Sequence, residues 1–201
     1  ISYAIELTKF ACSVGADAVL LVTPYYNKAT QKGLIASFTA IADASTKPVI
    51  LYNVPSRTGL NMLPATVAAL AEHPMIAAVK EASGNMSQVV DIIARCGDKL
   101  DVYSGEDALT VAMMAMGGVG CISVLSNVVP REAVEMSDAA LRGDFETAAN
   151  LRDKKKELQN EMQRCRDEWE NQINAQMETV GEEEVAHIVS SWTGIPVNKL
   201  T

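Results

Sequence analysis

Apolar residues along this chain alternate between two spacings, one suited to helices and one to strands. Residues 2–14 carry Ala4, Ile5, Leu7, Phe10, Ala11 and Val14 at helical intervals, and Gly15 follows as a stop. Val19–Val22 is a short continuous apolar run closed by Thr23-Pro24, which reads as a buried strand. The alternation then repeats. A helix is predicted over 30–44, a strand over 48–54, and a helix from Pro64 to about Ala71. A strand over 76–80 and a helix over 86–96 come next, followed by a weaker strand over 101–104. Asp107 is placed to cap a helix running to Met116, and Gly120–Val124 forms a fifth strand. Pro130 then opens a helix to Leu141.

Five strand-then-helix units in succession imply a parallel sheet with right-handed crossovers. Two architectures fit, a doubly wound open sheet or part of a (β/α)8 barrel. A dinucleotide-binding fingerprint would favour the first. Its only candidate, Gly117-Gly118-Val119-Gly120, precedes a strand instead of following one, and is better read as a helix stop and tight turn.

Charge divides the chain. The first 150 residues carry 25 charged side chains, whereas the last 51 carry 17. That shift marks a change to a solvated helical segment in which Leu151, Leu158, Met162 and Trp169 recur near heptad spacing, as in a coiled coil. The net charge of −8 argues against an electrostatic nucleic-acid footprint. No apolar run approaches the ~20 residues of a membrane span, and no signal peptide is visible. Cys12, Cys96, Cys121 and Cys165 form no CxxC pair and read as buried thiols of a reducing compartment, consistent with a cytoplasmic protein. With two histidines, neither metal nor cofactor is expected, and His187 reads as structural. The chain opens on Ile1 within a helical pattern, which suggests a fragment.

The candidate chemistry lies at the carboxyl ends of the predicted strands, where barrel active sites collect. Lys80 ends the third strand and is followed by Glu81-Ala82-Ser83-Gly84. A lone strand-end lysine is most often one that reaches out to water. A lysine held against apolar walls can instead attack a carbonyl as a neutral amine and form a Schiff base. Tyr25, Tyr26, Tyr52 and Arg57 lie at neighbouring strand ends.

Three segments carry a resemblance: Thr23-Pro24-Tyr25-Tyr26-Asn27, Tyr52-Asn53-Val54-Pro55-Ser56-Arg57-Thr58-Gly59, and Lys80-Glu81-Ala82-Ser83-Gly84-Asn85. Together they resemble the 4-hydroxy-tetrahydrodipicolinate synthase (dihydrodipicolinate synthase) family of class I aldolase-type barrels, over roughly residues 1–147. The Ser-Arg-Thr-Gly context of Arg57 favours this family over the related N-acetylneuraminate lyases. The resemblance implies a lyase of lysine and diaminopimelate biosynthesis that condenses pyruvate with aspartate semialdehyde, as a homo-oligomer. It implies that Lys80 forms the pyruvate Schiff base, Tyr52 and Tyr26 relay protons, and Arg57 binds the aldehyde's carboxylate. It further implies that Gly105 and Ile122 contact substrate and that Tyr25 belongs to a lysine feedback site. The family barrel has eight strands, so the comparison implies that this chain holds the last five. It also implies that a threonine loop completing the relay lies outside the chain, and that the chain alone is inactive. Rapid borohydride trapping of pyruvate on Lys80 would overturn that expectation.

The tail is different. Glu182-Glu183-Glu184-Val185-Ala186-His187-Ile188-Val189-Ser190-Ser191-Trp192-Thr193-Gly194-Ile195-Pro196-Val197-Asn198-Lys199-Leu200 is similar to Clp-type ATP-dependent chaperones, after their coiled-coil middle region. No GxxxxGK[ST] phosphate loop is present, so this piece cannot bind ATP by itself. The expected organisation is a partial aldolase-type TIM barrel over 1–147 and a charged, helical, partly coiled-coil Clp-like segment over 148–201. Together the two resemblances imply a chimera. An alternative to the lyase is a non-catalytic interaction module or a non-functional chimera carrying the Clp-like segment.

Overall fold

A computed structural model describes residues 1–176, 181–194 and 196. Five strands, β1 (Val19–Val22), β2 (Val49–Asn53), β3 (Ile76–Glu81), β4 (Asp101–Ser104) and β5 (Gly120–Cys121), form one sheet in sequential order. Every neighbouring pair is parallel. Between and around the strands lie α1 (Ser2–Ser13), α2 (Gln31–Ala42), the short α3 (Pro55–Thr58), α4 (Pro64–Leu70), α5 (Met86–Cys96), α6 (Thr110–Ala115) and α7 (Pro130–Leu141). A doubly wound sheet would reverse its strand order at a switch point. The unreversed order is that of a barrel arc, and it decides between the two architectures.

The core lies between the sheet and the helices. Val49, Leu51, Val79 and Val102 face Leu34 and Phe38 of α2, Val67 and Leu70 of α4, Val89 and Ile92 of α5, and Met113 of α6. The alternate residues of the sheet face away from that layer. Leu20 and Val22 of β1 are substantially exposed there, while Ile50, Tyr52 and Tyr103 are half-buried. A bulge sets the phase of β3. Val49 pairs with Ile76 but Ile50 with Ala78, so Ala77 is an extra, exposed residue. The bulge lets Ile76 and Val79 both enter the core although they are an odd three positions apart.

Local chemistry explains the element ends. Thr30 caps α2, its hydroxyl accepting from Gly33 N at 3.2 Å. Replacing Thr30 by alanine is expected to lower stability by about 1 kcal/mol, read as a shifted denaturant midpoint with an unchanged slope. Asn85 caps α5 in the same way through Gln88 N.

Several sequence expectations need correction. Asp107 does not cap a helix. It lies in a 3-10 turn before α6, and its carboxyl accepts from the Ser123 hydroxyl and from Val124 N and Leu125 N. That clamp turns the chain away from the sheet, so β5 ends at Cys121 and does not run to Val124. The apolar stripe of α1 is mostly on its exposed side, with Leu7, Phe10 and Val14 open and Thr8 the buried position. Of the cysteines only Cys96 is buried, and burial pushes its thiol up from the usual range. Cys12 and Cys121 are half-buried, and Cys165 is exposed.

Residues Ile1–Lys156 and Glu157–Thr201 form two compact units. Helix α8 (Phe145–Gln176) begins in the first and continues into the second. Met162 and Trp169 on α8 are exposed, and the side chain of Leu158 lies outside the described residues. In the second unit, α9 (Glu182–Thr193) starts after Gly181 and stops at the left-handed Gly194. Of its apolar residues, Val185, Ile188 and Trp192 are exposed, Val189 is half-buried and Ala186 is buried. Ile195 and Val197–Leu200 of the Clp-like motif lie outside the described residues. No helix among the described residues is long and apolar enough to cross a membrane, and none of their His, Cys, Asp and Glu side chains cluster as a metal site.

Candidate active site

Parallel pairing sets the register that builds this site. Tyr52 of β2, Lys80 of β3 and Tyr103 of β4 are successive cross-strand partners, so they form one row near the carboxyl edge of the sheet. Side chains at facing positions lie on the same face of a sheet. The Lys80 amine accordingly lies over the Tyr52 ring, 4.3 Å from its centroid. Lys80 is only 8% exposed, and it is the one buried lysine among the described residues. It does not reach out to water.

Gly105 borders the lysine stem. Its N–H donates to Glu81 O at 2.8 Å, extending the ladder one residue past β4. A Cβ at this position would stand 2.7 Å from Ala82 Cβ and 3.0 Å from both Cγ and Cε of Lys80. Glycine is needed for space, since the backbone passes directly against the lysine. Ile122 continues the same edge, its N–H donating to Ser104 O at 2.9 Å, and the Asp107 clamp fixes the loop that follows.

The remaining candidates stand farther out. Tyr25 and Tyr26, in the loop between β1 and α2, are 72% and 90% exposed. Neither side chain makes a hydrogen bond among the described residues. Arg57 is exposed on α3, which Pro55 starts and the left-handed Gly59 ends. The two loops meet where the Lys28 side chain crosses Gly59, whose Cβ position is 3.1 Å from Lys28 Cε. The structure therefore brings together Tyr52, Lys80 and Gly105, with Ile122 on the adjoining edge. It leaves Tyr25, Tyr26 and Arg57 on open loops at the same end of the sheet.

Two features escaped the sequence reading. One is Tyr103, which flanks Lys80 opposite Tyr52. The other is a buried polar cluster behind the row, on the helix side of the sheet, where Asn53 and Glu81 are almost fully buried. Asn53 Nδ2 donates to Glu81 Oε2 at 3.0 Å and to Asn61 Oδ1 at 2.9 Å. Gln88 of α5 and Ser83 complete the cluster. A signal was present in the sequence. Asn53 follows Tyr52 and Glu81 follows Lys80, so each polar residue must face the helices if its neighbour faces the open side.

Comparisons with known proteins converge. The model of the family described as the dihydrodipicolinate synthetase family matches residues 1–192. The 4-hydroxy-tetrahydrodipicolinate synthase of Geobacter sulfurreducens is 57% identical over 148 residues, 74% of this chain and 51% of that protein. The enzyme of Geobacter metallireducens is 58% identical over the same length and shares. Among solved structures, dihydrodipicolinate synthase from Aquifex aeolicus is similar with a TM-score of 0.75 at 44% identity, covering 77% of this chain and 53% of that one. The chloride-inhibited dihydrodipicolinate synthase from Acinetobacter baumannii, complexed with pyruvate, gives 0.73 at 45% identity, covering 75% and 52%. The chain spans about half the length of the curated relatives it matches.

Proposed function

The chain belongs to the dihydrodipicolinate synthetase family, and on that premise we propose that Lys80 forms a Schiff base with pyruvate in the condensation of pyruvate with aspartate semialdehyde. The product is 4-hydroxy-tetrahydrodipicolinate, on the route to lysine and diaminopimelate in the cytoplasm. The observation that carries this reading is a buried amine stacked over the Tyr52 ring at the carboxyl edge of a parallel sheet. The amine adds to the C2 carbonyl of pyruvate, and the carbinolamine loses water to give the imine. A C3 proton then leaves, the resulting enamine carbon attacks the aldehyde, and the amine of the aspartate semialdehyde displaces the lysine amine from the imine, closing the ring and freeing Lys80. Each step moves a proton, and a positioned tyrosine hydroxyl is suited to carrying it. Burial also keeps bulk water from the imine.

In this reading Tyr52 takes the proton nearest Lys80, Tyr26 extends the relay, and Gly105 and Ile122 border the bound substrate. Arg57 holds the aldehyde's carboxylate, for which a guanidinium offers two parallel N–H donors, and Tyr25 belongs to a lysine feedback site. A second copy of this chain is the expected assembly partner. Because Tyr26 is 90% exposed, the relay is open in this chain alone. Imine formation is then slow and condensation negligible. Borohydride reduction in the presence of pyruvate tests the reading: covalent pyruvate on Lys80 is expected, and none would remove it. Replacing Arg57 by alanine is expected to leave that trapping rate within about twofold, since an exposed loop side chain contributes little to the imine step. A large drop in trapping would reassign Arg57 to the pyruvate.

For residues 148–201 we propose an interaction segment resembling the middle region of Clp-type chaperones, joined to the barrel part as a chimera. Its support is the exposed apolar stripe of Val185, Ile188 and Trp192 beside the Clp-like motif. Co-purification with a Clp-type ATPase through this segment is the expected result, and its absence would leave the segment without that role. If pyruvate trapping also fails, the chain is better read as a non-catalytic interaction module.

A further inference from the structure

We propose that Glu81 is a positioning residue that fixes Lys80 over the Tyr52 ring; this rests on the Schiff-base role assigned above. Glu81 immediately follows Lys80, so the two side chains leave β3 on opposite faces. Lys80 points to the open face, and Glu81 points into the layer between sheet and helices, where it is 1% exposed. Among the described residues no lysine, arginine or histidine pairs with it. Its three contacts are all neutral donors: Ser83 N at 2.7 Å to Oε1, with Asn53 Nδ2 at 3.0 Å and Gln88 Nε2 at 3.3 Å to Oε2.

Those donors come from three separate places. Asn53 ends β2 directly after Tyr52, Ser83 lies in the turn after β3, and Gln88 lies in the first turn of α5. Asn61 closes the ring, accepting from Gln88 Nε2 at 3.2 Å and donating to Gln88 Oε1 at 2.8 Å. Asn53 Oδ1 accepts from Met62 N at 2.9 Å, tying in the loop that follows α3. One carboxyl thus joins the residue after Tyr52 to the residue after Lys80. With both strand ends held, the amine and the ring are held at 4.3 Å.

Packing alone does not require a carboxyl here, because a glutamine side chain fills nearly the same volume. What a carboxyl adds is an acceptor on both oxygens. An amide has one acceptor, so the substitution Glu81→Gln would turn an NH2 against either the Ser83 N–H or the two side-chain amides. A buried donor facing a donor is costly. The end of β3 then shifts, and Lys80 shifts with it.

The test uses the full chain with Glu81→Gln, and with Ile92→Val as a control that trims the same core without touching the ring. Two quantities are read: acetylation of Lys80 relative to the exposed Lys32, mapped by mass spectrometry, and the rate of pyruvate trapping. For Glu81→Gln, relative acetylation is expected to rise and trapping to fall, each about tenfold, within the ~100-fold that a misplacement of about 1 Å can cost. Ile92→Val is expected to leave both unchanged. Should Glu81→Gln fail to fold, Gln88→Ala, which removes one donor, is expected to move both quantities in the same direction by less. Acetylation of Lys80 at the wild-type ratio in a folded Glu81→Gln or Gln88→Ala chain would overturn the proposal. If the unaltered chain traps no pyruvate, the Schiff-base reading falls, and the acetylation ratio still decides the positioning of Lys80.

Discussion

Replacing Lys80 by alanine is expected to abolish pyruvate trapping completely while the fold persists. The loss is total because no other described lysine combines burial with a ring face. Lys9, Lys28 and Lys32 are exposed or half-exposed, and Lys99 is paired with Glu72 at 2.6 Å. An exposed amine also forms imines, but water returns them to the carbonyl, whereas a buried imine persists long enough to be reduced. The fold survives because the central packing lies on the other face of the sheet, among Val49, Leu51, Val79 and the helices. Far-UV circular dichroism should match that of the unaltered chain. Residual trapping above a few per cent in the Lys80→Ala chain would mean that a different amine carries the chemistry.

Replacing Gly105 by alanine is expected to slow trapping by about 100-fold, the second largest effect. The added methyl would stand 2.7 Å from Ala82 Cβ, closer than carbon atoms pack. Ala82 Cβ is fixed to its backbone and cannot turn aside. Relief has two routes. The strand ends can separate, which breaks the Gly105 N–H bond to Glu81 O, or the Lys80 stem, 3.0 Å away, can swing off the Tyr52 ring. Either route displaces the amine. The backbone at Gly105 does not adopt a positive φ, so the damage is steric. Equilibrium unfolding should therefore change much less than trapping. Equal losses in both would make Gly105 a general packing position.

The same residues show how far the sequence could be read. Elements set by local signals came out with their ends intact: α5 between Asn85 and Gly97, α7 from Pro130, and β4 between Leu100 and Gly105. Elements that depend on distant partners did not. β5 stops early because Asp107, sixteen residues upstream of Ser123, takes the groups that would have extended it. The stripe of α1 indicated a helix, but nothing in it revealed which side would find a partner within the described residues. The site divides in the same way. Tyr52 and Lys80 were legible as strand ends, but their approach depends on the Ala77 bulge, which shifts the pairing by one residue and leaves no mark in an apolar run. The Glu81 ring stayed hidden because Asn61 and Gln88 come from a loop and a helix that read as ordinary polar positions.

Whether Lys80 is the pyruvate-binding amine decides the rest, and peptide mapping after reduction measures that most directly. The full chain is incubated with pyruvate, reduced with borohydride, digested, and sequenced by mass spectrometry. The expected result is one adduct of reduced pyruvate, accumulating slowly on Lys80 and absent from Lys9 and Lys32. Adduct spread equally over the surface lysines, or a Lys80 peptide recovered unmodified, would contradict it.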